Sequence, residues 1–211
     1  FFNDADARVM TQTADGLVLK KTARVLQYGI NRVGVFQAVN LPGDTPPGLA
    51  VQSFVRKGEV SLAVGENGLI IRNVTGQMPA IAESGVTADL TGICAFTGGY
   101  LACSDEGDLI FSADTETWQS WPTFGKKPLR AIAANEDGLY VAVGADGAVI
   151  TGQNGPGTFI RTGASADLAD IAYGGLTFVA AGSGGTILIS RTGLIWQTVS
   201  LSPKINWRAA D

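Results

Sequence analysis

Histidine is absent from the 211 residues. Its absence removes His-based catalytic triads and the commonest zinc sites, and leaves general acid–base chemistry to carboxylates. Charge is also scarce: Asp, Glu, Lys and Arg make up 16% of the chain, against about a quarter in an ordinary globular protein. A disordered chain would need more charge and less apolar content. The formal net charge is −4, so a phosphate backbone finds no electrostatic footprint and no nucleic-acid partner is expected. The pairs Lys20-Lys21, Arg56-Lys57 and Lys126-Lys127 are isolated in the sequence and read as solvated surface. No apolar run approaches the roughly 18 residues that a membrane span requires. No cofactor is implied. The sequence opens on Phe1-Phe2 rather than Met, which reads as a processed product or a piece of something longer.

Glycine is plentiful, with 28 residues, and it is distributed periodically. Four segments superimpose, beginning at Leu49, Leu90, Leu129 and Leu168, with starts 41, 39 and 39 residues apart. In each, a short apolar stretch with small residues (GICAF, AIAA, DIAY) precedes a Gly-containing turn and a second apolar stretch. A tight turn ending in Gly (ENG, DEG, ADG, SGG) then leads to a third. Asn-Gly and Asp-Gly between apolar runs are strong hairpin signals, because a type I′ turn needs positive φ at both central residues. A fourth, weaker stretch carries aromatics. RVMTQTADGLVLKKT near the N-terminus aligns with YLACSDEGDLIFSAD, which gives a further copy without its opening.

Four short antiparallel strands per unit of about 40 residues make an all-β chain, a β-propeller of about five four-stranded blades. Small residues in the first strands suit the crowded centre where blades converge. The blades run 49–89, 90–128, 129–167 and 168–204, with residues 1–48 and 205–211 forming the remaining one in a single domain. The copy at 1–48 lacks the start of its innermost strand, and Trp207–Asp211 resembles that start. Either the termini meet and close the ring, or the chain is a window onto a larger propeller. In the first copy, Thr22–Gly34 reads as an insertion before the strand VFQAVNL.

Ser112-Ala-Asp114 followed by Trp118, and Ser190-Arg-Thr192 followed by Trp196, share one spacing. With the repeat, they resemble the Asp-box (BNR-type) propellers and the related photosystem-assembly propellers. Thr151 and Asn73 open weaker copies. The resemblance implies that the Ser, Asp and Thr side chains hold the turn between strands three and four, and that the Trp rings pack between sheets. In sialidases such turns lie away from the substrate, so Asp114 is not expected to be catalytic. A sialidase would also need an arginine triad and a Tyr–Glu pair. The nine arginines are scattered, and Tyr100 and Tyr140 fall at one repeat position as strand aromatics. The chain therefore reads as a non-enzyme.

Asp15, Glu66, Asp105, Glu106 and Asp146 recur beside turn glycines and would line one rim; turn formation explains them without a metal. GSGGT at 182–186 precedes a strand and reads as a hairpin turn rather than a phosphate loop. With Gly98-Gly99 as a two-residue turn, Cys94 faces Cys103 directly, a geometry that permits a disulfide. Small residues at the matching positions of other repeats favour two reduced, buried thiols instead. The expected function is a non-catalytic module of a larger assembly, such as a phage tail or virion, with other proteins as partners and a virion or extracellular location. The alternatives are a lectin-like propeller whose glycan meets Trp121, Phe124 or Trp207, and a chaperone-like assembly factor.

Overall fold

A computed structural model describes residues 50–123 and 125–199 with their side chains. It gives Arg8–Gln12, Val18–Thr22, Val25–Ile30, Val35–Asn40 and Ser200 as strand backbone. The first sheet is β1 (Arg8–Gln12), β2 (Val18–Thr22), β3 (Val25–Ile30) and β4 (Val35–Asn40). The second is β5 (Val51–Lys57), β6 (Val60–Gly65), β7 (Ile70–Val74) and β8 (Ala80–Ala82). The third is β9 (Leu90–Phe96), β10 (Gly99–Ser104), β11 (Leu109–Ser112) and β12 (Gln119–Trp121). The fourth is β13 (Leu129–Ala134), β14 (Leu139–Gly144), β15 (Val149–Gln153) and β16 (Thr158–Phe159). The fifth is β17 (Leu168–Gly174), β18 (Thr177–Gly182), β19 (Thr186–Ser190) and β20 (Gln197–Ser200). Every sheet is an antiparallel meander in chain order.

From the second sheet onward the innermost strands lie side by side, β5 against β9, β9 against β13 and β13 against β17. Small residues are needed there: a Cβ on Gly92 would stand 3.2 Å from the Ala131 Cα of the next sheet. The cores lie between sheets. Leu62, Val64 and Ile70 of the second pack on Leu90, Ile93, Tyr100 and Ile110 of the third. Leu101, Cys103 and Leu109 of the third pack on Ile132, Tyr140 and Ile150 of the fourth. Val141, Val143 and Val149 of the fourth pack on Ile171, Phe178 and Leu188 of the fifth. Alternation along each strand thus supplies one sheet face to each neighbour.

Four details correct the sequence reading. The strand equivalent to β9 begins at Val51, not Leu49, so Val51, Leu90, Leu129 and Leu168 are uniformly 39 apart. An extra residue bulges each innermost strand just after that start, at Gln52, Thr91, Arg130 and Ala169. The stretch expected to be an insertion, Thr22–Gly34, contains strand β3, which pairs with both β2 and β4. The β9–β10 turn is Thr97-Gly98 rather than Gly98-Gly99, so Cys94 pairs with Leu101 and Cys103 with Gly92. The cysteines are therefore diagonal, where Cα atoms lie about 7–8 Å apart, beyond ordinary disulfide reach. Both are free and buried. The ring-closing segment Trp207–Asp211 lies outside the described residues.

Candidate functional site

A meander places the turns of each sheet on two rims. One rim carries the β6–β7, β10–β11, β14–β15 and β18–β19 turns together with the linkers between sheets. Three of these turns have the expected type I′ form, with positive φ at Asn67 and Gly68, at Asp146 and Gly147, and at Gly184 and Gly185. The N–H of Leu69 donates to Glu66 O, and that of Ala148 to Ala145 O. In the third sheet the loop is one residue longer, and only Gly107 has positive φ.

Acidic residues tie these turns to the linkers. Asp89 Oδ1 accepts the Asn67 N–H at 2.9 Å, and the Asp89 N–H donates to Asp105 Oδ1 at 3.0 Å. The Asp167 carboxylate accepts the Asp146 N–H and lies 2.8 Å from an Arg130 guanidinium nitrogen, so both hold its pKa below the usual range. Glu66 accepts the Ala50 N–H at 2.7 Å, and Asp146 sits 3.4 Å from Lys127 Nζ. The recurring acids Glu66, Asp105 and Asp146 thus lie on one rim and engage neighbouring groups; Asp15 lies outside the described residues. Among the described residues no cluster of three or more His, Cys, Asp or Glu could hold a metal ion. A cavity of about 430 Å³ opens on this rim, lined by Lys127, Asp146, Phe159, Ile160, Arg161 and Thr162 among others.

The opposite rim carries the turns between strands one and two and between strands three and four. Ser112 ends β11, and its Oγ accepts the Thr115 N–H at 2.8 Å. Asp114 Oδ1 accepts the N–H groups of Glu116 and Thr117, at 2.9 and 2.8 Å, and the Ser112 hydroxyl; Oδ2 accepts the Thr117 hydroxyl. These donors hold the Asp114 carboxyl well below its ordinary pKa. Ser190 and Thr192 repeat the pattern with hydroxyls, accepting the N–H groups of Thr192, Gly193, Leu194 and Ile195. Trp196 packs at the fourth–fifth sheet core and donates Nε1–H to Gly193 O at 2.8 Å. Trp118 packs at the second–third core, with its buried Nε1 unpartnered among the described residues.

Two cross-sheet contacts carry no signal in a single repeat. Thr115, buried at φ 71°, accepts from Arg72 Nε of the second sheet at 2.7 Å, and Arg72 also reaches Glu116. In the fourth sheet the turn begins at Gly152, which pairs with Tyr140 as Ser112 pairs with Tyr100; the Thr151 start is corrected by one residue. Tyr140 is fully buried there and donates its hydroxyl to Gly155 O at 3.0 Å. A Cβ on Gly152 would meet that hydroxyl at 2.5 Å, so the tyrosine occupies the space of the missing serine. Burial pushes both the Tyr140 and the Tyr100 phenols up.

Trp121 does not present a face to a ligand. It is 9% exposed and stacks on Phe111 at 4.7 Å and beside Tyr140 at 5.9 Å, inside the third–fourth core. Its position on the last strand suggested exposure, but packing of the adjacent sheet covers it. Phe124 and Trp207 lie outside the described residues.

No family model and no curated protein matches the chain. Solved structures do resemble it. YCF48 from Cyanidioschyzon merolae has a TM-score of 0.63 at 13% identity, over 90% of this chain and 70% of that one. YCF48 bound to D1 peptide gives 0.67 at 17%, over 93% and 68%. The WD40 repeats of RRP9 give 0.66 at 13%, over 88% and 63%. No helix among the described residues is long and apolar enough to cross a membrane. With its repeated antiparallel four-stranded sheets and these structural likenesses, the chain is a β-propeller.

Proposed function

We propose that the chain is a non-catalytic binding module whose partners are proteins of a larger assembly, with Asp-box turns as structural links between its strands. The observation that carries this reading is how the reactive groups are placed. Tyr100 and Tyr140 are buried, and Glu66, Asp89, Asp105 and Asp167 accept backbone N–H groups that join one segment of the rim to the next. Meanwhile the cavity beside Lys127, Arg161, Phe159 and Ile160 combines cationic and apolar lining, the mixture that a polypeptide segment uses. A similar propeller, YCF48, is solved bound to D1 peptide, which supports a peptide or protein partner. A phage tail or virion is the setting we favour. With Trp121 in the core, a glycan reading retains little.

Lysine-directed cross-linking in the source particle or cell, followed by mass spectrometry, tests the reading. Partner peptides joined to Lys126 or Lys127 are expected. Turnover of a fluorogenic sialoside, or selective retention on a glycan array, would overturn it.

A further inference from the structure

The fifth sheet exposes apolar residues at the rim of the Ser112 and Ser190 turns. Leu176 is 75% exposed in the β17–β18 turn, and Leu194 and Ile195 are 59% and 78% exposed in the β19–β20 turn. Two strand spacings separate these turns, so they stand about 10 Å apart. Met78, also exposed, belongs to the second sheet.

Folding does not require these side chains. The third sheet builds the same Ser-headed turn with Glu116 and Thr117, whose N–H groups bond Asp114 as those of Leu194 and Ile195 bond Thr192. At the turn between strands one and two, the second sheet uses Gly58-Glu59 and the third Thr97-Gly98. Leu176 is also strained. It sits at φ 64°, where a branched side chain is disfavoured, yet its side chain meets solvent. Thr115, with similar φ, is buried against Arg72. Leu176 gains nothing comparable.

Charges flank this patch on two sides. Arg191, exposed and without an ion pair among the described residues, belongs to the outer turn. Glu136 and Asp137, equally exposed and unpaired there, occupy the β13–β14 turn of the adjacent sheet on the same rim. An apolar centre with a cation on one side and anions on the other is self-complementary under a two-fold axis. An anionic bilayer would instead meet two acids for one arginine. We propose that a second copy of this chain docks here, Leu176, Leu194 and Ile195 on their counterparts, with Arg191 opposite Glu136 and Asp137 of the other copy. This is independent of the partner-binding reading, which a monomer would leave intact.

Sedimentation velocity from about 10 to about 500 µM tests it by mass action. The wild type should dimerise with rising concentration. Leu194→Glu with Ile195→Thr, residue types that the third sheet's turn accommodates, should weaken the dimer at least tenfold. Leu176→Gly should weaken it too while raising thermal stability in dilute solution, which separates association from folding. Arg191→Glu and Glu136→Arg should each weaken it, and together restore it. A wild type that stays monomeric overturns the proposal, as does a dimer indifferent to these changes. Co-sedimentation of a monomer with phosphatidylcholine–phosphatidylglycerol vesicles, lost in the double variant, would assign the patch to lipid and overturn it equally.

Discussion

Asp114 shows how one residue determines a turn: its two oxygens accept from two backbone N–H groups and two hydroxyls within three residues. The carboxylate form is the better acceptor, so its folded pKa lies below the ordinary value of about 3.9. A depressed acid pKa contributes stability that is whole above the unfolded value and lost as pH falls through it towards the folded one. Asp114→Asn should therefore unfold at lower urea than the wild type at pH 7, and the two midpoints should converge as pH falls below about 4. A gap that persists at low pH would assign the effect to shape rather than charge. The spacing of Ser112, Asp114 and Trp118 made this turn legible, because its bonds are local. Arg72 beneath Thr115, 43 residues away, was not legible, since only the stacking of sheets brings them together. The thiols likewise follow from packing. Desolvation raises both, Cys103 to about 12, so neither should react with a disulfide reagent at pH 8 until denaturant is added, when both should.

Among the strand connections, the type I′ turns were readable from Asn-Gly and Asp-Gly, and two glycines in equivalent turns test what each position demands. Gly147 has φ +65°, and a Cβ there would lie 2.1 Å from Ala164 O in the linker. Gly184 has φ +64°, but nothing lies within 4 Å of its Cβ position. Gly147→Ala should cost more than about 1 kcal/mol, since dihedral strain and a backbone clash add. Gly184→Asn should be neutral or slightly stabilising, because Asn tolerates the left-handed region and narrows the unfolded ensemble. Urea titrations of both would check this, and equal losses would show that φ alone decides. The β9–β10 turn was harder to place, because adjacent glycines at 98 and 99 allow two registers. What decides is crowding: a Cβ at Gly99 would stand 2.3 Å from Ser112 O, so the glycine is required inside the strand. Such an approach involves a third strand and leaves no trace in the two-residue pattern.

At the scale of the molecule, the 39-residue period is visible because every sheet repeats one task, offering one face to the sheet before and the other to the sheet after. Function is far less visible because whatever distinguishes one blade, such as the cavity at Arg161 or the apolar turns of the fifth sheet, departs from the repeat instead of sharing it. The same architecture makes stability a matter of neighbours, as in other repeat proteins. Leu109 is fully buried, in the third sheet, and packs in the cluster shared with Ile132, Tyr140 and Ile150 of the fourth. Leu109→Ala should lower stability by about 2–5 kcal/mol, the range for emptying a buried leucine site. Because the cavity opens on both sheets, hydrogen exchange should accelerate in β9–β11 and in β13–β15, while β18 and β19, one interface further on, should keep more of their protection. Acceleration confined to the third sheet would show that the sheets are independently stable. Uniform acceleration would show that the described blades unfold as one cooperative unit, with no boundary at the sheet interfaces.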